Sequence, residues 1–419
     1  MSRPILVLGG FALLVLLLPA GCTPQGQQDL DTGLRLFREN KVKEALPLFQ
    51  RAAARDEGNA EVLAWLAETH RRLGNTEEAL KMARKSLQVQ SRNSFAHLVM
   101  AETLFPYGGN EAQYDTVWYH VEQAVACDST DGNVWQMMWA REIFAGDVGP
   151  FQKVLRKMVE TGFLTEAALA YGRWELQCLP RRAVLITNGD MDTFPAEAVQ
   201  VTEQFRPDVA VVESGLLNTP SGRRFVRDKL GVQMPYDDAD LVSLVGVMDE
   251  DGRPRTAADH ILRGWTDQQT RGAFTRPIAF APTVEESYYK GYEDNLVNAG
   301  AFLLWQPEPP SAAVDTATIR VSLIGISPGD FRGPWVGAED RSPIRRVYTK
   351  YLAKNVTWAA ITYARELMSD GRVREADDAL TWADGFERNT ELGTAFTEEI
   401  EELRAELRRR DTTDDQPRR

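Results

Sequence analysis

Near its start the chain repeats itself every 34 residues, and a repeat of that period leaves few folds open. Gly33, Asn40, Ala45, Phe49 and Ala52 recur as Ala67, Gly74, Ala79, Ala83 and Ser86. A self-similar unit of this length is one supersecondary element that buries its apolar face only by stacking on a neighbour. The first position falls midway along a helix A, where a small residue lets a helix B cross closely. The second closes the turn between them. The last three, spaced four and three apart, share one face of helix B. Ala101 continues the series, and Ala124 follows four residues late, the loop P-Y-G-G-N-E-A-Q-Y-D absorbing the difference.

The segments E-A-L-P-L-F-Q-R-A (44–52) and E-E-A-L-K-M-A-R-K-S (77–86) resemble the tetratricopeptide repeat family. The resemblance implies helix pairs that bind an extended peptide or partner helix and perform no chemistry, so a protein partner is expected on their surface. A fourth, weaker pair is predicted over Val134–Val159. Its Trp135, Met137, Met138 and Trp139 stand at helical spacing, which core packing explains more simply than a peptide groove. The same spacing returns at Ala364, Gly371, Ala376, Leu380 and Ala383, and a helix over Thr394–Arg410 is expected to cap it.

In the middle the period changes. A-V-L-I-T-N (183–188) is a short apolar run without helical alternation, bounded by Gly189. A helix over about Phe194–Phe205 follows, with Asp192 or Thr193 as N-cap and Pro195 in its first turn. D-V-A-V-V-E (208–213) reads as a second buried strand, and R-R-F-V-R-D-K-L as a helix capped by Thr219 or Ser221. Continuous apolar strands joined through a helix point to a right-handed βαβ unit in a parallel sheet. Further strands are predicted at Pro277–Val284, Ala301–Trp305 and Thr318–Ile326.

Ligands of such sheets bind beyond the carboxyl ends of the strands, where this chain carries G-D-M-D-T-F-P, residues 189–195. Asp190 and Asp192, two residues apart, suit a divalent cation, sugar hydroxyls or general-base work. Thr193 stands beside them, and Asn218 and Thr219 come from the neighbouring loop; these five are the candidate ligand-binding residues. The plainer reading is that they cap helices, each cap contributing ~1 kcal/mol, although one carboxylate suffices for a cap. The loop has too few glycines to cradle a pyrophosphate and is negatively charged. Y-D-D-A-D (236–240) and D-E-D-G (249–252) read as turns, the second lacking the distal Glu of a calcium loop. No C-x-x-C pair, H-E-x-x-H helix or G-x-S-x-G elbow occurs, so no metal site, cofactor or catalytic residue is predicted, which favours a binding protein over an enzyme.

The pieces I-T-N-G-D-M-D-T-F-P, F-R-P-D-V-A-V-V-E-S-G-L-L-N-T, R-P-I-A-F-A and Y-K-G-Y-E-D-N-L-V-N-A-G resemble the soluble extracytoplasmic C-terminal region of multi-spanning membrane proteins related to protein O-mannosyltransferases. The resemblance covers about residues 180–385. Asp190, Asp192, Thr193, Pro195, Asn218 and Thr219 match its motif positions. The multi-span glycosyltransferase part is absent, so transferase activity does not carry over. An α/β-plus-helical-repeat architecture at the outer side of a membrane does, with a possible glycan ligand.

The first residues supply an address. Arg3 precedes an uncharged apolar run, Ile5 to Leu18, too short to span a bilayer and suited to a signal peptide. L-P-A-G-C resembles the lipobox of bacterial lipoproteins, with Cys22 as the lipidated residue and Pro19 where a large aliphatic side chain is usual. Thr23 after the Cys leans toward an outer membrane, facing the periplasm. A net charge of −13 with no basic block argues against nucleic acid as a partner and leaves the lipid anchor as the expected membrane attachment. Cys127 and Cys178 are read as a disulfide or two buried thiols.

The expected fold is therefore α plus α/β. A signal peptide (1–21) and linker (22–28) precede tetratricopeptide-like repeats at 29–178. A small Rossmann-like domain with a mainly parallel sheet occupies 179–345. Tetratricopeptide-like helices at 346–410 and a polar tail at 411–419 complete the chain.

Overall fold

A computed structural model describes residues 24–105, 114–145, 148–248, 252–331, 341, 343–390 and 395–414. The segment 1–21, Cys22, the loop 106–113 and tail residues 415–419 lie outside them. The chain divides into two compact units, up to Ser91 and from Arg92 onward, a split that falls inside the stretch read as N-terminal repeats.

In the first unit α1 (Pro24–Arg38) pairs with α2 (Val42–Arg55), and α3 (Ala60–Arg72) with α4 (Thr76–Val89). Residues 24–28, expected in a linker, already belong to α1, whose first residue is a proline, as suits a helix start. Ala45, Phe49, Ala52, Ala67, Ala79, Ala83 and Ser86 are all fully buried. The turn positions Asn40 and Gly74 have φ of 60° and 77°, the left-handed conformation that ends one helix and redirects the chain. Small and large residues alternate between the pairs. A Cβ on Gly33 would lie 2.9 Å from the Phe49 ring, and where the second pair has Ala67 in place of glycine it has Ala83 in place of phenylalanine. The crossing volume is kept although the residues are not.

In the second unit α5 (Ser94–Leu104) pairs with α6 (Tyr114–Cys127), α7 (Asn133–Ala145) with α8 (Val148–Glu160), and α9 (Glu166–Gln177) follows. Asn93 caps α5 through the Ala96 N–H, 34 residues after Asn59 caps α3 through the Val62 N–H, a repeat position not seen in the sequence. Trp135, Met137, Met138 and Trp139 are buried, which makes the α7 stripe packing. Cys127 and Cys178 are both free thiols, and burial pushes the Cys178 pKa up.

Five strands follow: β1 (Val184–Thr187), β2 (Ala210–Glu213), β3 (Ile278–Phe280), β4 (Leu296–Asn298) and β5 (Leu303–Trp305), in the order β2-β1-β3-β5-β4. Helix α10 (Asp190–Glu203) joins β1 to β2, and α11 (Pro220–Asp228), α12 (Asp238–Leu244) and α13 (Ala257–Thr270) join β2 to β3. The first three strands are parallel, but β5 runs antiparallel to β3 and to β4. The sheet is therefore mixed, correcting the mainly parallel, Rossmann-like expectation. The cause is the short β4–β5 link, closed by the Ala299 N–H donating to Phe302 O; so few residues cannot make the crossover a parallel pair requires.

The expected strand at Thr318–Ile326 is instead helix α14 (Thr316–Ile324). Its β-branched residues suggest a strand, but Asp315 accepts hydrogen bonds from the Thr318 N–H and hydroxyl and so caps a helix. Ile319, Ser322 and Leu323 then face inward at helical spacing, leaving Val321 and Ile324 exposed. Helix α15 (Pro343–Ser369) pairs with α16 (Val373–Asn389), burying Ala364, Ala376, Leu380 and Ala383 around a left-handed Gly371. Helix α17 (Thr397–Asp414) runs four residues into the predicted tail. Among the described residues no helix is long and apolar enough to cross a membrane.

Candidate functional site

With β2 on one side of β1 and β3 on the other, the loops leaving β1 and β3 flank a crevice beyond the carboxyl edge of the sheet. The protein's own side chains fill it. Helix α10 begins at Asp190 with Gly189 as N-cap, so most of the presumed loop 189–195 is helical, and Asp192 and Thr193 lie inside the helix, correcting the cap assignment. The buried Asp192 carboxylate accepts the Asn188 N–H at 2.8 Å, the Gly189 N–H at 2.9 Å and the Thr283 hydroxyl from the β3 loop. Thr193 is also buried: its hydroxyl lies 2.6 Å from Thr187 Oγ1 and donates to Gly189 O.

The other candidates are also structural. Asn218 Oδ1 accepts the Ala258 N–H and satisfies a donor in the first turn of α13. Thr219 caps α11 by accepting the Gly222 N–H. Asp190, like Asn218 and Thr219, keeps a half-exposed position. The five residues do not converge on one open pocket, and among the described residues no cluster of His, Cys, Asp and Glu could hold a metal ion.

Around this edge lies a set of buried acids that sequence reasoning missed. Burial raises the Asp192 pKa despite its hydrogen bonds. Glu213, at the end of β2, accepts the Gly215 and Leu216 N–H groups; burial, with the charges of Asp192 and Asp190 adding to it, pushes it up to about 7. Glu197 on α10 accepts the Trp139 indole N–H at 2.7 Å, and burial pushes it up to about 8. Glu175 on α9 is fully buried, neither carboxylate oxygen makes a hydrogen bond of good geometry, and its pKa is raised well above the usual range. All four favour the protonated form for one reason: desolvation penalises the charge.

Two cavities open elsewhere in the second unit. One, of about 600 Å³, lies between the start of α13 and the loop 285–293 after β3. Arg255, Asp259 and Arg263 line one wall at intervals of four, with Arg253 beside them; Glu285, Tyr288, Lys290, Tyr292 and Glu293 line the other. Tyr288 is hydrogen-bonded to Ser214, just beyond β2, and burial raises its pKa. The sequence held a signal for this site in R-P-R-T before α13 and in Y-Y-K-G-Y at 288–292, but neither is a motif with a fixed chemistry. The second cavity, about 420 Å³, lies between α6 and α7, where Trp118, Tyr119 and Phe144 stand among Asp115, Glu122 and Arg141. Tyr119 is 54% exposed, and Arg141 pairs with Glu122 at 2.7 Å and Glu142 at 2.9 Å.

Comparison with protein families finds two local matches. A tetratricopeptide repeat model matches residues 36–101, and a model described as TMEM260-associated domain 2 matches residues 168–221, from α9 to the start of α11. The second match spans all five candidate residues. No curated protein matches the chain. Among solved structures, TTC0263, a thermophilic tetratricopeptide repeat protein of Thermus thermophilus, is 18% identical over 43% of this chain and 92% of its own, with a TM-score of 0.33. MamA of Desulfovibrio magneticus RS-1 is 16% identical over 45% of this chain and 98% of its own, with a TM-score of 0.30. Human IFIT1, solved as a dimer with m7Gppp-AAAA, is 14% identical over 92% of this chain and 72% of its own, with a TM-score of 0.30. None of these scores reaches the level at which a shared overall fold would follow. The chain thus contains tetratricopeptide repeats, a class of helix pairs that bind protein partners.

Proposed function

We propose that the chain is a membrane-anchored extracytoplasmic scaffold that holds a protein partner on its repeat helices. The observation that carries this reading is the open groove between α6 and α7, whose aromatic side chains and ion pairs match the composition of protein-binding hot spots. The envelope address rests on Cys22 and the apolar segment before it. A photo-crosslinking side chain at Tyr119 in the full chain, expressed in a bacterial envelope, is expected to trap one dominant protein, and Arg141→Glu to abolish the adduct. An adduct pattern unchanged by Arg141→Glu overturns the scaffold reading. Cys22→Ser is expected to move the protein from the membrane fraction to the soluble one, and retention in the membrane overturns the lipid anchor.

A second reading, recognition of a small polar ligand such as a sugar, is supported by the cavity beside α13. It shifts the carbohydrate hypothesis away from the loop Gly189–Asp192, where Asp192 is occupied by backbone N–H groups and Thr283.

A further inference from the structure

We infer that the cavity between α13 and the loop 285–293 binds a small ligand through a phosphate group, an inference that rests on the second reading above and specifies its chemistry. Arg255 carries the argument. Its Nε is buried without a hydrogen-bond partner, and among the described residues its guanidinium forms no ion pair. A buried N–H with no acceptor is costly, and a ligand oxygen that draws the guanidinium toward the cavity it lines would remove that cost. Arg263, two helical turns along the same wall, also forms no ion pair among the described residues; one of its Nη groups donates to Lys290 O at 3.1 Å and its guanidinium stands 5.3 Å from the Tyr292 ring centre. These contacts orient the guanidinium without neutralising it.

Charge and size both favour a phosphate ester. Arg253, Arg255, Arg263 and Lys290 outnumber Asp259, Glu285 and Glu293 around the space. Asp259 is further engaged in capping α13 through the Thr256 N–H and hydroxyl, and Glu293 accepts the Gly291 N–H. Guanidinium groups match the oxygen spacing of phosphate and bind it through paired N–H donors. The α13 N-terminus is not the receptor, because Asn218 and Thr256 already take its Ala258 and Asp259 N–H groups. A space of about 600 Å³ exceeds what an inorganic phosphate fills, and leaves room for an organic body against Tyr288 and Tyr292.

Calorimetric titration of the full chain with glucose 1-phosphate, inorganic phosphate and glucose tests this. Glucose 1-phosphate is expected to bind at least about tenfold more tightly than glucose and to be displaced by inorganic phosphate. Arg255→Gln and Arg263→Gln are each expected to weaken glucose 1-phosphate by about tenfold, while Arg271→Gln at the far end of α13 leaves it unchanged. Equal affinity for glucose and its phosphate, or undiminished binding by both cavity variants, overturns the phosphate inference and leaves the small-ligand reading standing. Binding of none of the three overturns both. Circular dichroism melts identify a variant that fails to fold, in which case the other arginine variant carries the test.

Discussion

The helix pairs of the first unit and the carboxyl edge of the sheet are held together by different physics. In the helix pairs each repeat position meets a requirement of volume or backbone angle: Gly33 gives way to Phe49, Ala67 to Ala83, and Asn40 and Gly74 turn the chain. At the sheet edge single residues meet several requirements together. Asp192, inside α10, accepts the N–H of the N-cap Gly189, ties β1 to the β3 loop through Thr283, and raises the cost of ionising Glu213. A volume rule tolerates exchange between partners, as the two crossings demonstrate. A buried polar network tolerates far less, because each lost partner leaves another group unsatisfied.

The largest expected difference comes from adding one methyl group to a glycine in each region. A Cβ on Gly172 in α9 would lie 2.5 Å from the backbone C and O of Pro195 in α10, and a backbone cannot step aside as a ring can. Gly172→Ala is expected to destabilise the second unit by about 3 kcal/mol or more, at the upper end of overpacking costs. Gly33→Ala meets only the Phe49 ring at 2.9 Å and is expected to cost about 1 kcal/mol. Urea unfolding followed by circular dichroism measures both, and equal losses would erase the distinction between yielding and unyielding contacts.

Next in size is the pair of carboxylates. Asp192→Ala strands the Asn188 and Gly189 N–H groups in a buried site and is expected to cost about 2 kcal/mol, whereas Asp190→Ala at the half-exposed first residue is expected to stay within about 0.5 kcal/mol. Similar small effects in both variants would remove the structural role assigned to Asp192.

The buried acids give the edge a pH dependence opposite in sign to that of the first unit, where burial lowers the His70 pKa. Glu213 and Glu197 titrate at about 7 and about 8 in the folded chain, against an ordinary value of 4.5. Between those limits the folded state holds more protons than the unfolded state. Stability contributed by these groups is therefore complete below pH ~4.5 and is lost as pH rises through 7 and 8. Melting temperature is expected to fall between pH 5 and pH 8 (a span set by those same pKa limits), and Glu197→Gln, which keeps an acceptor for Trp139, is expected to flatten the fall. A melting temperature that rises over this range would mean the acids are ionised and paired.

How much of each region was legible follows from the same contrast. The repeat positions were readable because a volume rule acts at fixed spacing: the helix positions, Ala45, Phe49, Ala52, Ala67, Ala79, Ala83, Ser86, Ala364, Ala376, Leu380 and Ala383, are all buried, while Gly74 and Gly371 turn the chain. The strands around Ile186 and Val212 were readable as apolar runs too short for helices. Thr318–Ile326 was misread because the deciding residue, Asp315, lies outside the apolar run it caps. The role of Asp192 depends on Thr283, 91 residues away, and that of Asn218 on Ala258, 40 residues away. No local pattern encodes such partners, nor does one place Arg263 beside Tyr292 in a cavity.

A small effect is also expected at Ser86, where the first unit does contain a buried polar contact. Its hydroxyl donates to Ala60 O at 2.7 Å. The equivalent positions Ala52 and Ala383 are alanine and equally buried, so the pocket accepts a methyl group. Ala60 O, in the first turn of α3, also faces an amide of the next turn, so removal of the serine hydroxyl strands no acceptor. Ser86→Ala is accordingly expected to cost less than about 1 kcal/mol, the net worth of one neutral hydrogen bond. The reverse change, Ala52→Ser, tests whether a hydroxyl there finds a matching acceptor at Gly26 or its neighbours in α1; without one, desolvation of the hydroxyl is expected to cost about 1–3 kcal/mol. A loss above about 2 kcal/mol for Ser86→Ala, measured by urea unfolding, would place the hydroxyl in a cooperative polar network and make the helix pairs depend on the same physics as the sheet edge.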